Sequence, residues 1–174
     1  MTTRVLVAYA TKHGATGELA EWIGSELRAA GLEVDVWPAK QCADIGAYDL
    51  VVLGSAVYMF RWQSEALDFA KRFERELAAR PTWFFSSGPT GGTPDADLKL
   101  AELIRRQPSP PGEAGRLARR IGIRGHATFA GRVGEDMTGL FERWLPRGDW
   151  RDHGAVGAWS RSIADRAIRS VVPA

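Results

Sequence analysis

Three short apolar runs constrain the fold of this chain more than any other feature. They are RVLVAYA at residues 4–10, LVVLG at 50–54 and PTWFF at 81–85, and none shows a helical period. Continuous apolar runs of this length suit strands buried on both faces, as in a parallel sheet covered by helices on each side. EVDVW at 33–37 alternates apolar and polar residues and so reads as a strand nearer an edge, and GHATFAG at 125–131 is a fifth candidate. Helical patterns separate them. Leu19, Ala20, Ile23 and Leu27 fall on one face over 16–30, with Gly31 as the stop; Ala66, Phe69, Ala70, Phe73 and Leu77 form a stripe over 64–79; Val156, Trp159, Ile163 and Ala167 form another over 154–170. Strands alternating with helices at short connections predict a doubly wound α/β sandwich, and 174 residues suffice for one such domain. QPSPPGEAG at 107–115 holds three prolines and two glycines and predicts a long surface loop.

Composition removes several function classes. Lys and Arg total 23 against 21 Asp and Glu, a net charge of +2, so the strong basic excess of a dedicated nucleic-acid binder is absent. The one cysteine, Cys42, excludes an internal disulfide framework and a multi-cysteine metal site. His13, His126 and His153 fall in separate elements without metal-ligand spacing, so no metal centre is expected. No apolar run approaches the roughly 20 residues of a membrane span, and the start of the chain lacks the apolar core of a signal peptide. A cytoplasmic protein is the expectation. The charge is unevenly spread: residues 1–99 carry 10 bases and 13 acids (−3), residues 100–132 carry 7 and 2 (+5), and the remainder is balanced. The basic stretch, Arg105, Arg106, Arg116, Arg119, Arg120, Arg124 and Arg132, is either a solvated surface or a docking face for an anion, a partner or a membrane surface.

In an open α/β sheet ligands bind beyond the carboxyl ends of the strands. Here the first end is followed by Thr11-Lys12-His13-Gly14-Ala15-Thr16, a loop opening a helix. Hydroxyls, a glycine and free amides at a positive helix end suit a phosphate, although a plain N-capping turn has the same residue types. GxGxxG and GxxxxGK[ST] are both absent, which leaves dinucleotide and nucleoside-triphosphate loops unsupported. Residues 54–62 (GSAVYMFRW) and 85–93 (FSSGPTGGT) follow the other two ends, with small residues that let a flat ligand approach.

The ordered landmarks YATKHGAT, GSAVYM, FSSGPTG, FAG and GDWRDH resemble the flavodoxin family, in particular its branch of menaquinone-dependent protoporphyrinogen dehydrogenases, over nearly the whole chain. The resemblance implies a flavodoxin-like three-layer sandwich with a five-stranded parallel sheet in the order 2-1-3-4-5, forming a single domain over residues 1–174, with a basic, Pro-rich loop region at about 105–124 and a short insert at about 132–152. It implies FMN bound without a covalent link. Thr11, Lys12, His13, Gly14, Ala15 and Thr16 would cradle its phosphate. Ser55, Ala56, Val57, Tyr58 and Met59, with Ser87, Gly88, Pro89, Thr90 and Gly91, would line its ring, and Tyr58 or Trp62 would stack on one side. No side chain is expected to be catalytic, since the flavin carries the chemistry. These loops do not distinguish FMN from a deazaflavin such as F420. Two function classes follow: an oxidoreductase passing electrons between an organic substrate, such as a protoporphyrinogen, and a quinone, or an electron carrier docking to protein redox partners. Carriers of the family are typically acidic and this chain is not, which favours the enzyme. The arginines from Arg105 to Arg124 are expected near the flavin edge, selecting an anionic substrate. Met137, Leu140, Phe141, Trp144 and Leu145 would form an apolar stripe that either covers the core or touches a membrane surface.

Overall fold

The computed structural model describes residues 2–88, 109–135 and 147–171. Five strands form one parallel sheet: β1 (Arg4–Ala10), β2 (Glu33–Pro38), β3 (Leu50–Tyr58), β5 (Thr82–Gly88) and β6 (Gly125–Ala130), hydrogen-bonded in the order β2-β1-β3-β5-β6. Counted among themselves these strands run 2-1-3-4-5, the order the family resemblance implies. The sixth strand, β4 (Arg61–Trp62), turns back antiparallel onto the end of β3, pairing Val57 with Trp62 and Tyr58 with Arg61. A second small ribbon pairs β7 (Arg132–Val133) with β8 (Gly148–Asp149).

Alternate residues of the central strands face two separate cores, which is why those runs read as unbroken apolar segments. Leu6, Ala8, Val51, Leu53 and Phe84 meet α2 (Ser64–Arg72), α3 (Glu74–Ala78) and α4 (Gly112–Ile121). Val5, Val7, Val52 and Phe85 meet α1 (Ala15–Ala29) and α5 (His153–Val171). Gly54 has no room for a side chain, because a β-carbon there would lie 2.0 Å from the Phe85 ring.

Three features differ from the expectations. The stripe read as one helix over 64–79 is broken at Phe73, whose backbone (φ −106°, ψ 23°) separates α2 from α3 while its side chain stays buried. The segment read as a loop over 107–115, and with it the loop region at about 105–124, gives way at Gly112 to α4. This helix starts after Pro111, buries Ala114, Leu117, Ala118 and Ile121 on one face, and ends at left-handed Gly122. Gly115 is a packing position and not a breaker: a β-carbon there would sit 2.5 Å from the Pro110 carbonyl oxygen. Lastly, the predicted arginine face is dispersed. α4 descends from the carboxyl edge of the sheet, so Arg116 lies near that edge. Arg120 is held in a two-pronged pair by Glu74 on α3 (Nε–Oε1 2.8 Å), and the Arg124 amide donates to the Thr82 carbonyl at the opposite edge. Arg105 and Arg106 lie outside the described residues, and so do residues 136–146 of the insert with the stripe Met137, Leu140, Phe141, Trp144 and Leu145.

Candidate functional site

Parallel register brings the ends of β1, β3, β5 and β6 to one edge: Ala10 faces Ser55, Ser55 faces Ser86, Ala56 faces Ser87 and Gly88 faces Ala130. The loop 11–16 leaves this edge and enters α1. Its helix cap is Gly14, in the left-handed region at φ 85°, and no side chain caps the helix. The plain capping-turn reading therefore fails for Thr11, whose Oγ1 instead accepts the Gly14 amide within the loop (2.9 Å) and keeps its own proton free to donate. A β-carbon on Gly14 would meet nothing within 4 Å, so the loop opens onto free space. Thr16 is buried below it. A helix start without a side-chain cap is the arrangement an oxyanion fills.

The second loop touches the first. Lys12 Nζ lies 4.5 Å over the Tyr58 ring, and the His13 ring stands 6.1 Å from it, tilted by 58°. Ser55 is fully buried; its hydroxyl donates to the Ala56 carbonyl and accepts the Gln63 amide, both at 2.9 Å, so it ties β3 to the start of α2. Val57 and Tyr58 are half-buried, and the chain then reverses through Met59 (φ 46°) and Phe60 (φ 59°). Two adjacent left-handed positions are normally Asn-Gly in such hairpins, and a non-glycine residue at each costs about 1 kcal/mol. Both are also exposed, Met59 by 78% and Phe60 by 66%.

Trp62 is not on the surface of the site. It is buried against Phe84 (5.0 Å between centroids), and its Nε1–H donates to Ser86 Oγ at 2.9 Å. Ser86 Oγ also bonds His126 Nε2 at 2.9 Å, so β4, β5 and β6 are joined by one polar chain under the site. Of the two aromatics expected at the ring, Tyr58 is the one at the edge. Ser87 and Gly88 are buried at the end of β5; Pro89, Thr90 and Gly91 lie outside the described residues. The sequence reading missed this anchoring because Trp62 and Ser86 are 24 residues apart and neither sits in a chemical motif.

Behind the first loop the GDWRDH segment clamps α1. Arg151, with only 6% of its side chain exposed, bonds Asp149 (2.6 Å) and Glu18 in the first turn of α1 (2.5 Å), and its guanidinium lies 4.7 Å over Trp22. Trp22 stacks on His153 at 3.3 Å. The hydrogen bond from Arg151 holds the Asp149 carboxyl down at about 2. At the other side of the site Lys71 holds Glu113 at 2.8 Å and pulls its carboxyl below the usual range. Among the described residues no group of three His, Cys, Asp or Glu side chains could hold a metal ion.

An open parallel sheet, a glycine-opened helix start and small buried residues at the adjoining strand ends define a binding module for a flat phosphate-bearing cofactor. The chain belongs to the flavodoxin domain family, whose model matches residues 6–145, and the cofactor of that family is FMN. It therefore has a flavodoxin-like redox role. Its fold is similar to flavodoxin 2 of Bacillus cereus (TM-score 0.61, 18% identity, 94% of this chain and 99% of that one). It is also similar to an archaeal flavodoxin (0.58, 15%, 94% and 98%). The rubredoxin oxygen:oxidoreductase of Desulfovibrio gigas matches at TM-score 0.60 and 13% identity, covering 97% of this chain and 37% of that one. In sequence the chain is similar to the protoporphyrinogen IX dehydrogenase [quinone] of Escherichia coli K12, 28% identical over 85 residues, 48% of this chain. The chain spans about half the length (47%) of the curated relatives it matches.

Proposed function

We propose that the protein is an FMN-dependent oxidoreductase that passes electrons from an organic substrate, of the protoporphyrinogen type, to a quinone or similar acceptor. The observation that carries this reading is the Met59–Phe60–Arg61 turn: an exposed apolar and cationic surface beside the cofactor loops suits a small organic molecule better than an acidic docking face does. The name of the E. coli relative supports it.

FMN, when bound, supplies the electron-accepting and electron-donating chemistry. Thr11 would donate its free proton to the phosphate, and Thr16 would offer a second hydroxyl. The loop 11–16 would complete the cradle through the amides of Lys12, His13 and Ala15, while the Gly14 amide stays on Thr11 Oγ1 and holds the loop in shape. Lys12 adds a positive charge while resting on Tyr58. Ser55, Ala56, Val57, Tyr58 and Met59 would line the ring, Ser55 through its backbone because its hydroxyl is already engaged. Ser87 and Gly88, with Pro89, Thr90 and Gly91, would also line the ring.

Purified protein, its released pigment identified by mass, and anaerobic turnover of protoporphyrinogen IX with menadione test this reading. FMN-loaded protein that oxidises the porphyrinogen supports it. FMN-loaded protein inert toward porphyrinogen and menadione alike refutes it and leaves the electron-carrier reading, which the end-to-end match to small flavodoxins favours. A released mass of F420 would replace the cofactor.

A further inference from the structure

A cavity of about 540 Å³ lies beside the cofactor loops, between the β3–β4 hairpin, the start of α2 and the amino-terminal turn of α4. Its volume is in the range of small-molecule sites. Met59, Phe60, Trp62 and Leu67 give it an apolar wall, and Arg61 and Arg116 stand at it from two different elements. The hairpin and α4 meet at this cavity: the Phe60 carbonyl oxygen lies 3.7 Å from where a Gly112 β-carbon would be, an ordinary van der Waals separation.

The charge at this cavity is unbalanced in one direction. Its one carboxylate among the described residues, Glu113, is already held by Lys71 at 2.8 Å. Neighbouring arginines are committed elsewhere: Arg72 to the Cys42 carbonyl, Arg80 to the Ile45 and Tyr48 carbonyls, Arg120 to Glu74. Among the described residues neither Arg61 nor Arg116 has a close ion pair or a side-chain hydrogen bond; both act on Glu113 only from a distance, behind Lys71. The α4 amino terminus, with no side-chain cap, adds its positive end to the same space. The hairpin meanwhile keeps two large apolar side chains exposed through a strained backbone, and strain of that kind accompanies ligand sites.

We propose that this cavity binds an aromatic anion, with Arg61 and Arg116 holding its acidic group and Met59, Phe60 and Leu67 covering its ring system. Guanidinium groups from two elements accept a planar carboxylate in a fixed orientation, and the apolar wall rejects small hydrated anions. That this ligand is the organic substrate rests on the redox reading above; the binding does not.

The test is calorimetric titration of the full chain, FMN-saturated, with naphthoate and with its neutral isostere naphthamide. Arg61→Gln/Arg116→Gln should weaken naphthoate by about fivefold or more and leave naphthamide within about twofold, because two charge-assisted contacts are lost and the apolar ones kept. Phe60→Ala should weaken both. No naphthoate binding, a smaller loss, an equal loss for naphthamide, or displacement of bound flavin overturns the proposal. Visible absorption of the same samples reports the flavin separately. A colourless protein that still binds naphthoate through the two arginines defeats the redox reading and leaves this site standing.

Discussion

Replacing Arg151 with Met keeps an apolar stem against Trp22 and removes the charge that joins GDWRDH to α1. The magnitude follows from three contacts. The Asp149 carboxyl is depressed to about 2 by the Arg151 hydrogen bond, which for a buried group would be worth about 2.5 kcal/mol. With 47% of the Asp149 side chain exposed, solvent screening reduces that to about 1 kcal/mol. The Glu18 pair, at 48% exposure on the acid's side, adds about 0.5 kcal/mol, and the guanidinium over Trp22 about 0.5–1 kcal/mol. The variant should therefore lose about 2–2.5 kcal/mol at neutral pH, or about 5–9 °C in Tm for a domain of this size. The Asp149 share has a defined pH window. A carboxyl depressed on folding stabilises above its unfolded pKa and ceases to as pH falls through its folded value. The gap between wild type and variant should thus narrow between about pH 4 and pH 2. Urea unfolding at neutral and acid pH measures both. A neutral-pH difference under about 0.5 kcal/mol, or a gap that widens on acidification, would refute the clamp.

Two further substitutions test the frame of the site. Gly54→Ala drives a methyl into the Phe85 ring and should cost about 3 kcal/mol or more; thermal melting within 2 °C or so of wild type would contradict that packing. Trp62→Phe removes the Nε1–H bond to Ser86, costing about 1 kcal/mol in stability. By loosening the β3–β4 hairpin it should also weaken FMN several-fold, read by titration of apoprotein; unchanged FMN affinity would separate the hairpin from the cofactor site.

The strands were legible because burial on two faces writes itself as unbroken apolar runs, and β1, β3 and β5 carry such runs. Their ends were legible too, since small residues mark where chain must approach ligand closely. α4 was hidden by its own start: Pro110 and Pro111 stand outside the helix, and Gly115 is there for a close approach to the Pro110 carbonyl, yet both residue types read as breakers. β4 was hidden because two residues have no period, and a left-handed turn built from Met59 and Phe60 violates the residue preferences that announce such turns. The arginines were legible as a block but not as a distribution. A helix carries one charge block across the whole height of a sheet, separating Arg116 from Arg124.

The clamp on α1 also dictates an order of events during synthesis. The Glu18–Arg151 pair spans 133 positions and the Glu26–Arg161 pair 135. α1 emerges from the ribosome well before Arg151 and Arg161, and its outer face stays unsupported until they have followed. Contacts so distant in sequence form late, because the intervening chain must already be compact. The loop proposed to hold the cofactor is thus made early and stiffened late, and firm retention of the flavin waits on the arrival of Arg151 and Arg161.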